Sequence, residues 1–278
     1  MINKFKFSKS RSEVLIIFNS ALCFITAFIG VKAIIGLARF VIMRHFSAWV
    51  HLVNFDLICM NGKDARIWTH TSVISMYSVG VIVASILAIF SLIAYYKLKK
   101  FKGLLKLFAF WFYAIALNQS LGVFLRDIPI RRDFYHALNW MYTPYELMIG
   151  LTILAGIILL ILNSFNYKKA LRVAISTEHI RDNKSRRKTY ANIVMIPALL
   201  SSIFLTLLHF YNIYTYEVTE LVILLISLST PYIIFFRGEI PRKIKIFKDE
   251  TTDKLNYFAL FMASSAIIGY FLVKFVFF

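Results

Sequence analysis

The chain has little of what soluble enzymes and secreted proteins are built with. Its 278 residues include only two cysteines, five prolines, and 14 acidic residues against 32 basic ones. Cys23 lies within an apolar run and Cys59 outside it, so the pair suggests neither a disulfide framework nor a zinc or redox motif, whose ligands recur at short fixed spacings. There is no H-E-x-x-H for a zinc protease and no G-x-S-x-G for a serine nucleophile. Of the histidines assigned below to the outer side, His45, His51, His70, His136 and His209, no two stand three or four residues apart, so no helix presents a ready metal-binding pair. No cofactor or metal is therefore expected. Nor does an A-x-A-like cleavage site follow the first apolar run. That run is as long as a full membrane span, and after Lys4, Lys6, Lys9 and Arg11 it reads as an uncleaved first helix.

What the sequence has in abundance is apolar surface. With 59% hydrophobic and only 17% charged residues, and a mean hydropathy of +0.70, the chain exceeds the roughly one-half apolar usage of soluble domains. The formal charge of +18 is not a nucleic-acid footprint, because the charges fall in short clusters between apolar runs instead of forming a solvated basic face. The expected partners are membrane lipids and a protein partner in the membrane, with no nucleic acid.

Apolar runs of membrane-spanning length predict an all-α, polytopic transmembrane bundle forming a single integral membrane domain over 1–278. Its seven spans fall near 14–37, 72–93, 104–124, 144–163, 190–210, 217–236 and 255–277. The loop from Ser164 to Tyr190 carries Lys168, Lys169, Arg172, Arg181, Lys184, Arg186, Arg187 and Lys188, which marks it as cytoplasmic. Alternation then puts on the same side the N-terminus, the cluster Lys97, Lys99, Lys100, Lys102, Lys106, and the cluster Arg237, Arg242, Lys243, Lys245, Lys248, Lys254. In all, 23 of the 32 basic residues fall there. The N-terminus is thus expected to be cytoplasmic and the C-terminus extracytoplasmic. The Lys, Ile, Phe and Asn-rich composition, with no N-x-S/T acceptor in the outer loops, suggests a bacterial inner membrane.

Between the first two spans, Arg44, Ser47, His51 and Asn54 recur at helical spacing, which predicts an outer amphipathic interfacial helix near 39–59. Thr143-Pro144-Tyr145-Glu146 has the form of a capping box opening the fourth span. Pro197 and Pro231 predict kinks in the fifth and sixth spans. Gly80, Ala84 and Ala88, and separately Ser265 and Gly269, mark faces where helices can approach closely. There is no persuasive inverted repeat of the kind many secondary transporters carry.

Polar and ionisable residues near membrane depth are few and lie on the outer half. Because an intramembrane charge is costly, it invites a functional reading with a named partner. Lys32, Asn118, Gln119, Glu146, His209 and Glu220 are the candidates for a polar cavity, with Lys32 pairing Glu146 or Glu220. Each also has a structural reading: Lys32 can snorkel, Glu146 can cap its helix, Glu220 can sit in a first turn, and the amides can bond between helices. The outer segment Arg126-Asp127-Ile128-Pro129-Ile130-Arg131-Arg132-Asp133 is expected as a compact turn, whose Arg126, Asp127, Arg131 and Arg132 could contact a headgroup or a partner.

Three functions fit. With no catalytic constellation in view, the leading expectation is a non-catalytic subunit, scaffold or assembly factor of a membrane complex. The alternative is a transporter or carrier of a small solute or lipid, which requires the cavity candidates to converge. A membrane enzyme acting on lipid at the outer face would require at least three outer histidine or acidic side chains to meet.

Overall fold

The computed structural model describes residues 2–53, 56–62, 65–98, 103–173, 182–208, 215–234 and 257–276. In chain order they form α1 (Ile2–His45), a hairpin of β1 (Val50–Val53) and β2 (Asp56–Cys59), α2 (His70–Lys97), α3 (Gly103–Ile130), α4 (Phe134–Trp140) and α5 (Tyr145–Leu171). After these come α6 (Asn183–Tyr190), a π-helical turn (Ala191–Met195), α7 (Ile196–Leu208), α8 (Thr215–Ile234) and α9 (Tyr257–Val276). Five helices are long and apolar enough to cross a membrane: α1 from Glu13, α2, α3, α5, and the continuous rod of α6, the π turn and α7. The described apolar parts of α8 and α9, Val218–Tyr232 and Tyr257–Gly269, are shorter. The chain is thus a multi-span, essentially all-helical membrane protein.

α3 is the centre. It packs against α1, α2, α5 and α8, and Phe110, Trp111, Ala114, Ile115 and Ala116 on successive faces are all buried. A helix apolar on every side belongs in the middle of a bundle, where no face needs to be polar. α5 shows the opposite arrangement. Its Ile149, Ile153, Leu154, Ile157, Leu160 and Ile161 are exposed, as lipid-facing residues are, while Met148, Ala155 and Leu159 face inward. The small-residue face of α2, Gly80, Ala84 and Ala88, is buried inside the bundle as its spacing suggests, with Gly80 against Arg39 of α1. In α9, Ser265 is exposed and a Cβ on Gly269 would meet nothing within 4 Å, so this pair is not packed within the described bundle, whose buried small residues here are Ala259 and Ala263.

Several boundaries depart from the sequence reading. No interfacial helix covers 39–59. Arg39–His45 complete α1, Ser47 breaks the helix with φ 56°, and the chain then pairs β1 with β2 in antiparallel register, Val50 opposite Cys59. The Asn61 side-chain oxygen accepts from the Trp49 amide at 2.6 Å and closes the hairpin base. Val-His-Leu-Val and Asp-Leu-Ile-Cys are short runs that a strand accommodates as well as a helix. α3 runs on to Ile130, beyond the expected end near 124, so Arg126 and Asp127 are helical and not part of a turn. α5 runs on to Leu171, so Lys168 and Lys169 also belong to a helix. It starts after Pro144 with no side-chain cap, so the expected capping box is absent. A reciprocal capping box does open α2, between Thr69 and Ser72. At the start of α6, hydrogen bonds from the Ser185 side chain and backbone hold the Asp182 carboxyl below the usual carboxylate range.

Pro197 has no N–H to give the carbonyl of Ile193, four residues back, and the helix widens into the π turn just before it. The Ser20 hydroxyl of α1 supplies the missing donor, 2.5 Å from the Ile193 oxygen, and itself accepts from the Trp111 indole N–H at 2.9 Å. In α8, Pro231 likewise deprives Ser227, and the Tyr190 hydroxyl donates at 2.7 Å to the neighbouring carbonyl of Leu228. A side chain from another helix thus bonds the backbone beside each proline, at Ile193 and at Leu228.

A buried ion-pair network as candidate functional site

Four charged side chains meet inside the bundle, toward the end where α3 finishes and α8 begins. Gln119, Gly122, Val123 and Arg126 recur along one face of α3 at helical spacing, and Glu220 of α8 and Lys32 of α1 face that stripe. Glu220 is the hub. One carboxylate oxygen accepts from the Lys32 ammonium at 2.7 Å and from the Arg126 guanidinium at 2.9 Å, and the other accepts from the Gln119 amide. Arg126 also reaches Asp127, Nε to Oδ1 at 2.6 Å and Nη2 to Oδ2 at 3.4 Å. Asp127 in turn accepts the Phe134 amide at 3.2 Å, tying the network to the start of α4.

All of these groups are withdrawn from solvent: Lys32 is 7% exposed, Glu220 3%, Arg126 6% and Asp127 2%. Two cations and two carboxylates balance, which is the condition for keeping charge at this depth, because an isolated buried ion costs several kcal/mol or more. Asn118 donates its amide to the Glu220 backbone carbonyl at 3.3 Å. That contact forces the amide orientation, since the opposite flip would set oxygen against oxygen. Its Oδ1 is consequently an acceptor, buried and without a hydrogen-bond partner. Gly122 makes room for it, as a Cβ there would stand 2.9 Å from that oxygen. Next to Gln119, the Ser120 hydroxyl meets Ser85 of α2 at 2.6 Å.

Of the six cavity candidates, the structure brings together Lys32, Asn118, Gln119 and Glu220, with Glu220 and not Glu146 as the partner of Lys32. Glu146 is exposed at the start of α5. His209 lies outside the described residues. Of the four candidates for headgroup or partner contact, Arg126 and Asp127 turn inward and join the network. Arg131 and Arg132 remain exposed, with the Arg131 guanidinium 5.8 Å from the Tyr145 ring centre. Arg126 reads as a loop residue in the sequence because the apolar run ends near 124, whereas the helix continues to Ile130. The seven-residue spacing of Gln119 and Arg126 puts them on one helix face but does not say which way that face turns.

Near the same end Arg39 is buried and pairs with Asp133 at 3.4 Å, while the Tyr77 and His136 rings lie 5.7 Å apart. Among the described residues no three His, Cys, Asp or Glu side chains are grouped as a metal site would require. No protein-family model, no curated protein and no solved structure matches the chain.

Proposed function

We propose that this protein is a membrane carrier or transporter of a small solute or lipid, with the Glu220 network on the substrate's route. The observation that carries the proposal is the convergence of Lys32, Gln119 and Arg126, from two helices, on one buried carboxylate of a third. A subunit, scaffold or assembly factor needs complementary faces on the outside of its bundle. It has no need of four charges inside its own bundle, and that favours the carrier reading. An ion pair that both sides of the bundle contribute to can exchange one partner for a charged or polar substrate group. The bundle can then change shape without leaving a bare charge in lipid. Asn118 Oδ1 adds an acceptor for a substrate donor.

In this reading α8 and α9 complete seven crossings, the N-terminus and the α6 end of the bundle face the cytoplasm, and the network opens toward the outer side of a bacterial inner membrane. The basic clusters support that orientation. The outer-face enzyme reading has no comparable grouping of side chains among the described residues.

The test is native mass spectrometry of the chain extracted from its own membrane, wild type beside Glu220→Gln. A small molecule or lipid retained by the wild type and lost from the variant is the expected result. If the chain instead carries a stoichiometric second protein, with no small molecule that depends on Glu220, the carrier reading fails and the subunit reading replaces it.

A further inference from the structure

At the opposite end of the bundle a second buried polar system runs along α5. Asn163, Asn166 and Lys169, at three-residue spacing, form a ladder on the inward face of the helix. The Lys169 ammonium donates to Asn166 Oδ1 at 2.8 Å, and Asn166 Nδ2 donates to Asn163 Oδ1 at 2.7 Å. Asn163 and Asn166 are fully buried and Lys169 is 7% exposed. Direction along the ladder is imposed by Lys169, because an ammonium can only donate. Asn166 must turn its oxygen to it and its amide onward, and Asn163 must do the same. The ladder therefore ends in an N–H donor, Asn163 Nδ2, which is buried and has no hydrogen-bond partner.

Lys169 lies 4.6 Å from the centre of the Tyr113 ring, and the Tyr95 hydroxyl donates to the Lys169 backbone carbonyl at 2.8 Å. Ring faces partly compensate a cation but add no opposite charge. Only one of the three N–H groups of Lys169 is taken by Asn166. A polarised chain of donors anchored on a buried cation, with an unspent donor at its tip, is complementary to an anionic oxygen.

We propose that the Asn163–Asn166–Lys169 face of α5 is an anion site for a phosphate group, separate from the Glu220 network. It is supplied either by an anionic phospholipid headgroup or by a free phosphate. The proposal does not rest on the carrier reading, and its failure would leave the Glu220 network untouched.

The experiment uses the full chain in nanodiscs. Thermal unfolding is followed in phosphatidylcholine discs with and without inorganic phosphate, and in discs containing phosphatidylglycerol, all at ionic strength matched with sodium chloride so that screening is constant. The wild type is expected to gain several degrees with phosphate, identifying a free-anion site, or with phosphatidylglycerol alone, identifying a headgroup site. In Asn163→Leu, which removes the donor at similar volume, the gain is expected to fall at least tenfold in apparent affinity. The melting temperature without anion should change little, because the orphaned Asn163 donor is removed while Asn166 Nδ2 loses the acceptor it had in Asn163 Oδ1. Lys169→Gln should lose the gain as well and serves if the first variant does not fold. No gain from either anion source, or an undiminished gain in the substituted chains, overturns the proposal.

Discussion

Gly80 of α2 lies directly beneath the guanidinium of Arg39 of α1: a Cβ at Gly80 would stand 2.8 Å from Arg39 Nε and 3.0 Å from Nη2. The glycine is what allows a buried arginine to cross the α1–α2 contact and pair with Asp133 at 3.4 Å. Because the group in the way is the far end of a flexible side chain, Gly80→Ala is expected to move Arg39 aside at small net cost. The helix gains about 1 kcal/mol from replacing glycine and loses about as much from the displaced contact. Gly80→Leu cannot be absorbed in this way and should cost roughly 1–3 kcal/mol of overpacking. Thermal unfolding of the two variants checks both, and equal effects from alanine and leucine would contradict the geometry.

The ion-pair network should behave as a unit. Lys32→Met alone leaves two carboxylates against one cation, and Glu220→Gln alone leaves two cations against one carboxylate. Each is expected to cost roughly 3–5 kcal/mol, as removing one member of a buried pair does. The double substitution restores balance, with Arg126 and Asp127 still bonded at 2.6 Å. It should cost less than the sum of the singles by at least about 1 kcal/mol. Additive losses in detergent unfolding curves would show that Lys32 and Glu220 are not coupled.

Ser20 answers a defect created by Pro197. Ser20→Ala removes the donor to Ile193 and the acceptor of Trp111 together. It should cost about 1–3 kcal/mol as those buried groups lose their partners. Pro197→Ala returns an N–H to α7, so in that background the cost of Ser20→Ala should shrink toward the Trp111 share alone. An unchanged cost in both backgrounds would mean that the serine does not act through the proline-generated carbonyl.

The helices were legible because lipid imposes a length: about 20 apolar residues are needed to cross roughly 30 Å, and that requirement is written along the chain without reference to any partner. Proline positions were equally local, since a missing N–H is a property of the residue. Lys32 and Glu220 are legible as candidates because intramembrane charge is costly, but snorkelling and a first-turn position fit the sequence equally, and their pairing depended on which helices became neighbours. Arg126 and the Asn163–Asn166–Lys169 ladder were misread or passed over for one reason. In a helix apolar on most sides, no periodicity tells which face turns to the bundle and which to lipid, so a polar residue near the end looks like part of a loop. The hairpin at Val50–Cys59 was hidden by the ambiguity of short apolar runs, which fit either period. Sequence alone determined that this is a helical membrane protein with charge concentrated between its spans. Only the packing of α1, α3 and α8 decided that three helices share one carboxylate, because that outcome depends on distances between residues up to 188 positions apart.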